Sequence, residues 1–319
     1  MGNRKRIILV VFISLLVIGV FPFGSNTPIK YIERNSGQIK TEQVYGEAWL
    51  HWLYNNPVGQ LSLYAIVKRK FLSDWYGKRM NRPKSAKKIA NFVAKYHIDL
   101  SEAKQQQFES FNAFFSRELK PEARPINSNP NILISPADGK VLAYQDISNQ
   151  DFIVKGYRFN LYEFLDNDTL AQLYNGGSLM IVRLCPTDYH RFHFPSDGKV
   201  IRRQKIKGPL FSVSPIALRK NVEIICRNKR EYTQIETDHF GKIIMAEVGA
   251  TMVGSIIQTY QSSRIKKGQE KGYFLFGGST VVLLFERNRI KIDKDLIKNT
   301  NHQLETEIKM GEGIATAIP

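Results

Sequence analysis

Cysteine is nearly missing from the chain: Cys185 and Cys226 are the only two in 319 residues, and they form no CxxC pair. That excludes a disulfide framework and a cysteine-rich zinc site, and it makes a reducing compartment the simpler reading. Acidic residues are also scarce, with 29 Asp plus Glu against 46 Lys plus Arg. The resulting net charge of +17 calls for an anionic partner, either nucleic acid or an acidic membrane surface. No solenoid repeat, low-complexity tract or βαβ rhythm is present. With 43% hydrophobic and 11% aromatic residues the chain can bury one or two substantial cores, so disorder and collagen-like folding are excluded.

A single hydrophobic run approaches membrane length. IILVVFISLLVIGVFPF over 7–23 is 17 uncharged residues, ended by Pro22 and Gly24, which is the short limit for a spanning helix. Arg4, Lys5 and Arg6 would hold the extreme terminus on the cytoplasmic side. No small-x-small cleavage site follows, so residues 1–28 read as a tail and uncleaved anchor. A single crossing would carry the rest of the chain out of the cytoplasm, against the expectation of reduced cysteines. An interfacial or re-entrant segment removes the conflict and leaves the catalytic region facing the cytoplasm.

Residues 29–120 read as helical. YGEAWLHWLYNN, LSLYAIVKRKFLSDWYGKRM and KSAKKIANFVAKYHI carry apolar and aromatic positions at spacings near three and four. Between Lys68 and Lys95 there are ten Lys or Arg against the single Asp74, a net +9 beside Trp75, Tyr76 and Phe92. Basic heads over an aromatic face describe a helix surface that rests on an anionic bilayer, where each cation gains about 1 kcal/mol. Nucleic acid is the weaker partner, because no RNA-binding aromatic motif or recognition helix accompanies the charge.

Beyond Pro121, Pro125 and Pro130 the composition changes. KVLAYQ, SLMIVRL, VEIICR, GKIIMAEVGA, TMVGSIIQTY and STVVLLFER recur between turn residues and predict strands of a mainly antiparallel sheet. The expected fold is therefore α+β: an anchor, a helical membrane-facing region, and a β-rich catalytic region over 121–319.

Few residues there invite chemistry. His190 and His193 occur together in CPTDYHRFHFP, directly after the predicted strand SLMIVRL. In an extended segment they would point to opposite faces, so they share one site only if the chain turns between them. A zinc site would need a close third ligand, and neither Asp188 nor Asp197 gives a metal spacing, so no metal is expected. Asp138 in ISPADGKV is first a turn former, yet an aspartate there can also orient an imidazole. In KGYFLFGGSTVVLLF, Gly277 and Gly278 separate two apolar runs and would leave the Gly278 carbonyl within reach of the Ser279 hydroxyl. A phosphate loop would need a lysine and a helix after the glycines, and both are missing. The residues alone reach a serine, histidine and aspartate constellation, with a plain turn at each place as the alternative.

Taken together, FNAFFSRELKPEARP, ISPADGKV, CPTDYHRFHFP, GPLFSVSPIAL, RNKREY, VGATMVGSI and GGSTVVLLF resemble, in order, the phosphatidylserine decarboxylase family. The resemblance runs from about Ile29 to Ile318. It implies a self-processing enzyme of phospholipid synthesis that makes a pyruvoyl cofactor from its own backbone. Ser279 would attack the Gly278 carbonyl, the amide would become an ester, and elimination and hydrolysis would convert Ser279 to a pyruvoyl group. Two pieces would result, a large chain 1–278 and a small chain 279–319. By the same resemblance Asp138 orients His193, His193 is the base for Ser279 during cleavage, and His190 assists decarboxylation or reprotonation. A Schiff base with the headgroup amine would carry phosphatidylserine to phosphatidylethanolamine and CO2. Phe211, Ser212 and Val213 would line the substrate pocket. The expected partners are phosphatidylserine, an anionic cell-membrane surface and the two chains of one precursor; family analogy alone suggests a homodimer. One departure stands out: GGST replaces the LGST of many members, leaving the cleavage pair intact but loosening the residue before it.

Overall fold

The structure, a computed structural model, describes residues 27–148, 151–154, 157–221, 223–251 and 255–319. The hydrophobic run 7–23 lies outside these residues. Among the described residues no helix is long and apolar enough to cross a membrane.

Ten strands form one large sheet, in the spatial order 264–265, 198–206, 230–237, 242–248, 279–285, 178–184, 139–144, 305–308, 30–33 and 39–41. Every neighbouring pair is antiparallel except 30–33 beside 305–308. The expected mainly antiparallel α+β architecture is present. Ser279–Phe285 occupies the middle, and with Ser178–Leu184 it is buried at every position. Alternation explains why both strands are mostly apolar. Leu179, Ile181, Val282 and Leu284 enter one core, while Met180, Val182, Val281 and Leu283 enter the core on the other face. A sheet covered on both sides holds its register tightly, because a one-residue slip would exchange the two faces.

A small sheet of 256–258, 270–274 and 191–193 carries the strand that contains His193. It is tied to the large sheet by a fully buried ion pair, Lys271 Nζ to Glu247 Oε2 at 2.6 Å. Gln258 donates to the same Glu247 oxygen at 2.7 Å and accepts from Lys271 at 3.2 Å. Burial pushes the Lys271 amine down and the Glu247 carboxyl up, and the charge pair opposes both shifts. Removing one partner leaves an uncompensated buried charge. Lys271→Met is therefore expected to lose about 3–5 kcal/mol in urea unfolding, and the double variant with Glu247→Leu to regain most of it.

Helices 47–55, 57–62, 70–80 and 89–96 build the cap, joined by a π turn over 63–67 and a 3-10 turn over 83–88. Its own core gathers Met80, Phe92, Phe111, Phe114, Phe115 and Phe276. One expected strand is corrected: VEIICR contains a short helix, Glu223–Arg227, with Ile224, Ile225 and Cys226 all buried. A short, wholly buried apolar run carries no periodicity to separate helix from strand. Asn221 Oδ1 accepting from the Glu223 amide at 2.8 Å supplies the local start.

Candidate active site

The antiparallel register sets Ser279 opposite Leu184. The loop leaving Leu184 therefore starts beside the GGST turn and passes over it before returning as Arg191–His193. Gly277 has φ of +138°, a conformation in which a side chain is strained, so a glycine rather than a leucine suits this backbone. Gly278 approaches Val213, whose Cγ2 would lie 3.3 Å from an added Cβ. The Ser279 hydroxyl is fully buried and has no hydrogen-bond partner among the described residues. Burying an unpaired hydroxyl is unfavourable, which makes this turn a candidate for chemistry.

The helical cap fixes the approach to that turn. Phe276 meets Phe111 at 4.9 Å and Phe115 at 5.0 Å between ring centres. Its amide donates to Asn112 Oδ1 at 2.9 Å, and Asn112 in turn donates to Asn81 Oδ1 at 2.7 Å. Phe115 also packs on the His190 ring at 3.8 Å. One short helix, 111–115, thus holds both the glycine turn and a histidine.

The two histidines face different surroundings, as the odd spacing predicts for an extended segment. His190 Nδ1 is 2.9 Å from the Asp188 carbonyl, which can only accept, so Nδ1 carries the proton. Its Nε2 is buried without a hydrogen bond among the described residues. Burial pushes the ring down to about 3; the Asp188 and Gly277 carbonyls work against this and the Arg117 charge adds to it, and the net effect keeps His190 neutral at working pH. His193 Nδ1 likewise meets the Gly268 carbonyl at 3.0 Å, and Nε2 lies 3.2 Å from the Tyr189 hydroxyl. Burial lowers His193 too, with the Gly268 contact and then the Glu270 and Asp138 charges working against it.

Asp138 does not hydrogen-bond to His193. Arg124 grips its carboxylate from Nε at 2.9 and 3.0 Å and from Nη2 at 2.5 Å, while the Met310 amide donates to it at 2.8 Å. The carboxylate acts on His193 through its field. Arg124 and Tyr189 are absent from the sequence-derived set of site residues. Both lie inside the quoted motifs, and an arginine 14 positions from a buried aspartate was the available signal.

Beside Gly278 lies a cavity of about 450 Å³. Ser212 and Val213 line it; Phe211 is buried behind them, its ring 5.7 Å from Tyr64. Hydrogen bonds hold this loop: Phe211 N to Asn228 Oδ1 at 3.0 Å, and Ser212 N to the Tyr54 hydroxyl at 3.0 Å. Tyr45, Trp49 and Tyr76 of the cap close the opposite wall. At the edge, Arg183 is held by Glu42 and by Glu305, each with a contact of 2.6 Å. Cys185 borders the same cavity, and burial raises its thiol far above the usual range, so it is no nucleophile.

The family model described as phosphatidylserine decarboxylase matches residues 111–316, more than half of the chain. The chain belongs to the phosphatidylserine decarboxylase family. Relatives named phosphatidylserine decarboxylase proenzyme agree. One from Fusobacterium nucleatum subsp. nucleatum is 56% identical over 288 residues, covering 89% of this chain and 96% of that protein. One from Clostridium botulinum strain Hall is 49% identical over 290 residues, covering 90% and 98%. One from Clostridium perfringens strain SM101 is 45% identical over 290 residues, covering 90% and 99%. Within the family, the word proenzyme in these names implies a precursor that is processed.

Proposed function

We propose that this chain cleaves itself between Gly278 and Ser279 and then decarboxylates phosphatidylserine to phosphatidylethanolamine and CO2. The observation that carries the reading is the buried Ser279 hydroxyl, without a hydrogen bond among the described residues, at a glycine turn whose Gly278 lines a cavity of about 450 Å³. In maturation Ser279 Oγ attacks the Gly278 carbonyl carbon. The C–N bond breaks, the amine nitrogen takes a proton, and an ester joins the two pieces. His193 accepts the serine proton at Nε2 after Tyr189 releases it, and the Asp138 charge, anchored by Arg124, steadies the resulting imidazolium.

The pyruvoyl group formed from Ser279 supplies a carbonyl for the headgroup amine and an electron sink for the decarboxylation. His190 relays a proton through its Nε2 to the carbanion left by decarboxylation. Phe211, Ser212 and Val213 form the wall that orients the headgroup and upper acyl chains. Cleavage leaves chains 1–278 and 279–319 interlocked, because 279–285 is a central strand of the large sheet. Dimerisation rests on family analogy alone.

The membrane contact is assigned to the cap. Leu61, Tyr64, Ile66, Phe71 and Trp75 are exposed there, among Lys68, Arg69, Lys70 and Arg79. Lys68 lies 4.8 Å from the Tyr64 ring and Arg79 5.7 Å from Trp75, a pairing suited to a headgroup layer. Tyr64 reaches from this face to Phe211, which puts the face beside the loop whose Ser212 and Val213 line the cavity. The domain reading follows: anchor 1–28, membrane-associating region 29–120, which also lends strands 30–33 and 39–41 to the large sheet, and catalytic region 121–319 facing the cytoplasm at the cell membrane.

The test is a denatured mass spectrum combined with turnover on phosphatidylserine vesicles. A 41-residue piece, 279–319, blocked at its amino terminus, and loss of headgroup carboxylate as CO2 are expected. The double variant Phe71→Ser, Trp75→Ser should still process but lose about tenfold or more in vesicle affinity. One intact, unmodified chain in active material would sink the reading; unchanged vesicle binding by the double variant would remove the assigned membrane face.

A further inference from the structure

Away from the cavity beside Gly278, a recess of about 220 Å³ is lined by Lys104, Phe108, Ser116, Arg117, Glu118 and Arg191. Three cations and one carboxylate meet there, but the charges are not equally satisfied. Lys104 pairs with Glu118 at 2.9 Å. Arg191 pairs with Glu270 at 2.7 Å and with Glu118 at 3.5 Å, and its Nε donates to the Ser116 carbonyl at 2.9 Å. Arg117 stands apart. It is 7% exposed, its Nε is buried without any partner, and its Nη1 makes a single contact of 3.5 Å with the Phe114 carbonyl. Among the described residues no carboxylate lies within ion-pair distance of it; the Asp138 and Asp188 charges reach it only from farther off, and the Phe114 ring lies 5.2 Å away.

A guanidinium buried this far is strongly unfavourable unless an anion and hydrogen bonds compensate it. Five N–H donors in a planar fork match the oxygens of a phosphate group. The lysine and second arginine on the rim add positive field without being free themselves. We propose that this recess is a binding site for a phosphate-type oxyanion, with Arg117 as its principal ligand. The anion is either free phosphate or the phosphodiester of a lipid headgroup. The recess is distinct from the cavity beside Gly278, and although the Arg117 charge also reaches His190, anion binding there is independent of the reaction proposed above.

The experiment uses the full chain in detergent, carrying Ser279→Ala so that processing plays no part. Melting is followed in inorganic phosphate, in dihexanoyl phosphatidylglycerol and in chloride of matched ionic strength. Arg117→Met is expected to melt no lower than its parent in chloride, because it removes an unpaid charge. Phosphate or the lipid is expected to raise the parent by several degrees and to leave Arg117→Met unmoved. A response to inorganic phosphate alone identifies free phosphate; a response to the lipid alone identifies the headgroup. Should Arg117→Met fail to fold, Arg117→Lys decides: it keeps the charge, loses the fork, and is expected to bind on the order of tenfold more weakly in titration calorimetry. No shift beyond chloride in the parent, or an equal response in either folded variant, overturns the site.

Discussion

Protein carrying Ser279→Ala is expected to remain one 319-residue chain and to release no CO2 from phosphatidylserine. Ser279 is asked to be two things, the nucleophile of the cleavage and the precursor of the carbonyl that later takes the amine, so one substitution removes both. Loss of folding would mimic this result, and the structure supplies the control. The hydroxyl is buried with no partner, and such an orphan group lowers stability by about 1–3 kcal/mol. Deleting it leaves the methyl of alanine against an already apolar strand. The variant is therefore expected to melt no lower than uncleaved wild-type precursor. An inactive chain that melts several degrees lower would assign the loss to packing instead; cleavage of the alanine variant would remove Ser279 as the nucleophile. Intact mass, melting temperature and headgroup turnover on one preparation separate these outcomes.

Which parts of this arrangement are legible in the sequence follows from how local each cause is. SLMIVRL and STVVLLF are read correctly because two-sided burial makes most positions apolar, with the ion-paired Arg183 as the charged exception, and that signal is contained within each run. The turn at Gly277 and Gly278 is legible for the same reason, since only backbone conformation is at stake. The pairing of strand 305–308 with 30–33, almost the full length of the chain away, is not legible, because parallel neighbours leave no turn between them. The role of Arg124 is hidden likewise. Its partner Asp138 sits in a sequence that already explains itself as a turn, and only the fold reveals that the carboxylate is spent on Arg124 and the Met310 amide rather than on His193. The small helix 223–227 defeats the reading from the other side, where a local pattern exists but fits two structures.

The division of labour between the histidines gives the second large effect. Both rings carry their proton on Nδ1, so tautomer does not distinguish them, although the His193 Nε2 meets the Tyr189 hydroxyl and the His190 Nε2 has no hydrogen bond among the described residues. Their electrostatic surroundings do. His193 feels the Glu270 and Asp138 carboxylates, which oppose the effect of burial and favour a protonated ring. That suits a base which must hold the Ser279 proton until the leaving amine needs it. His190 has burial and the nearby Arg117 charge against protonation, and is pushed down to about 3. It can pass a proton onward but not keep one. His193→Gln is thus expected to slow conversion of precursor by about 100-fold or more, while His190→Gln yields processed chains whose turnover falls by about 10²–10⁴-fold. Because His190 is already neutral well below pH 5, turnover by mature wild-type enzyme should show no limb from it between about pH 5 and 8, where an unperturbed imidazole would titrate. Gel-resolved maturation kinetics and a turnover profile against pH test both halves. Normal maturation in His193→Gln together with a stalled precursor in His190→Gln would exchange the two roles, and would make the free Nε2 of His190 the base that starts the cleavage.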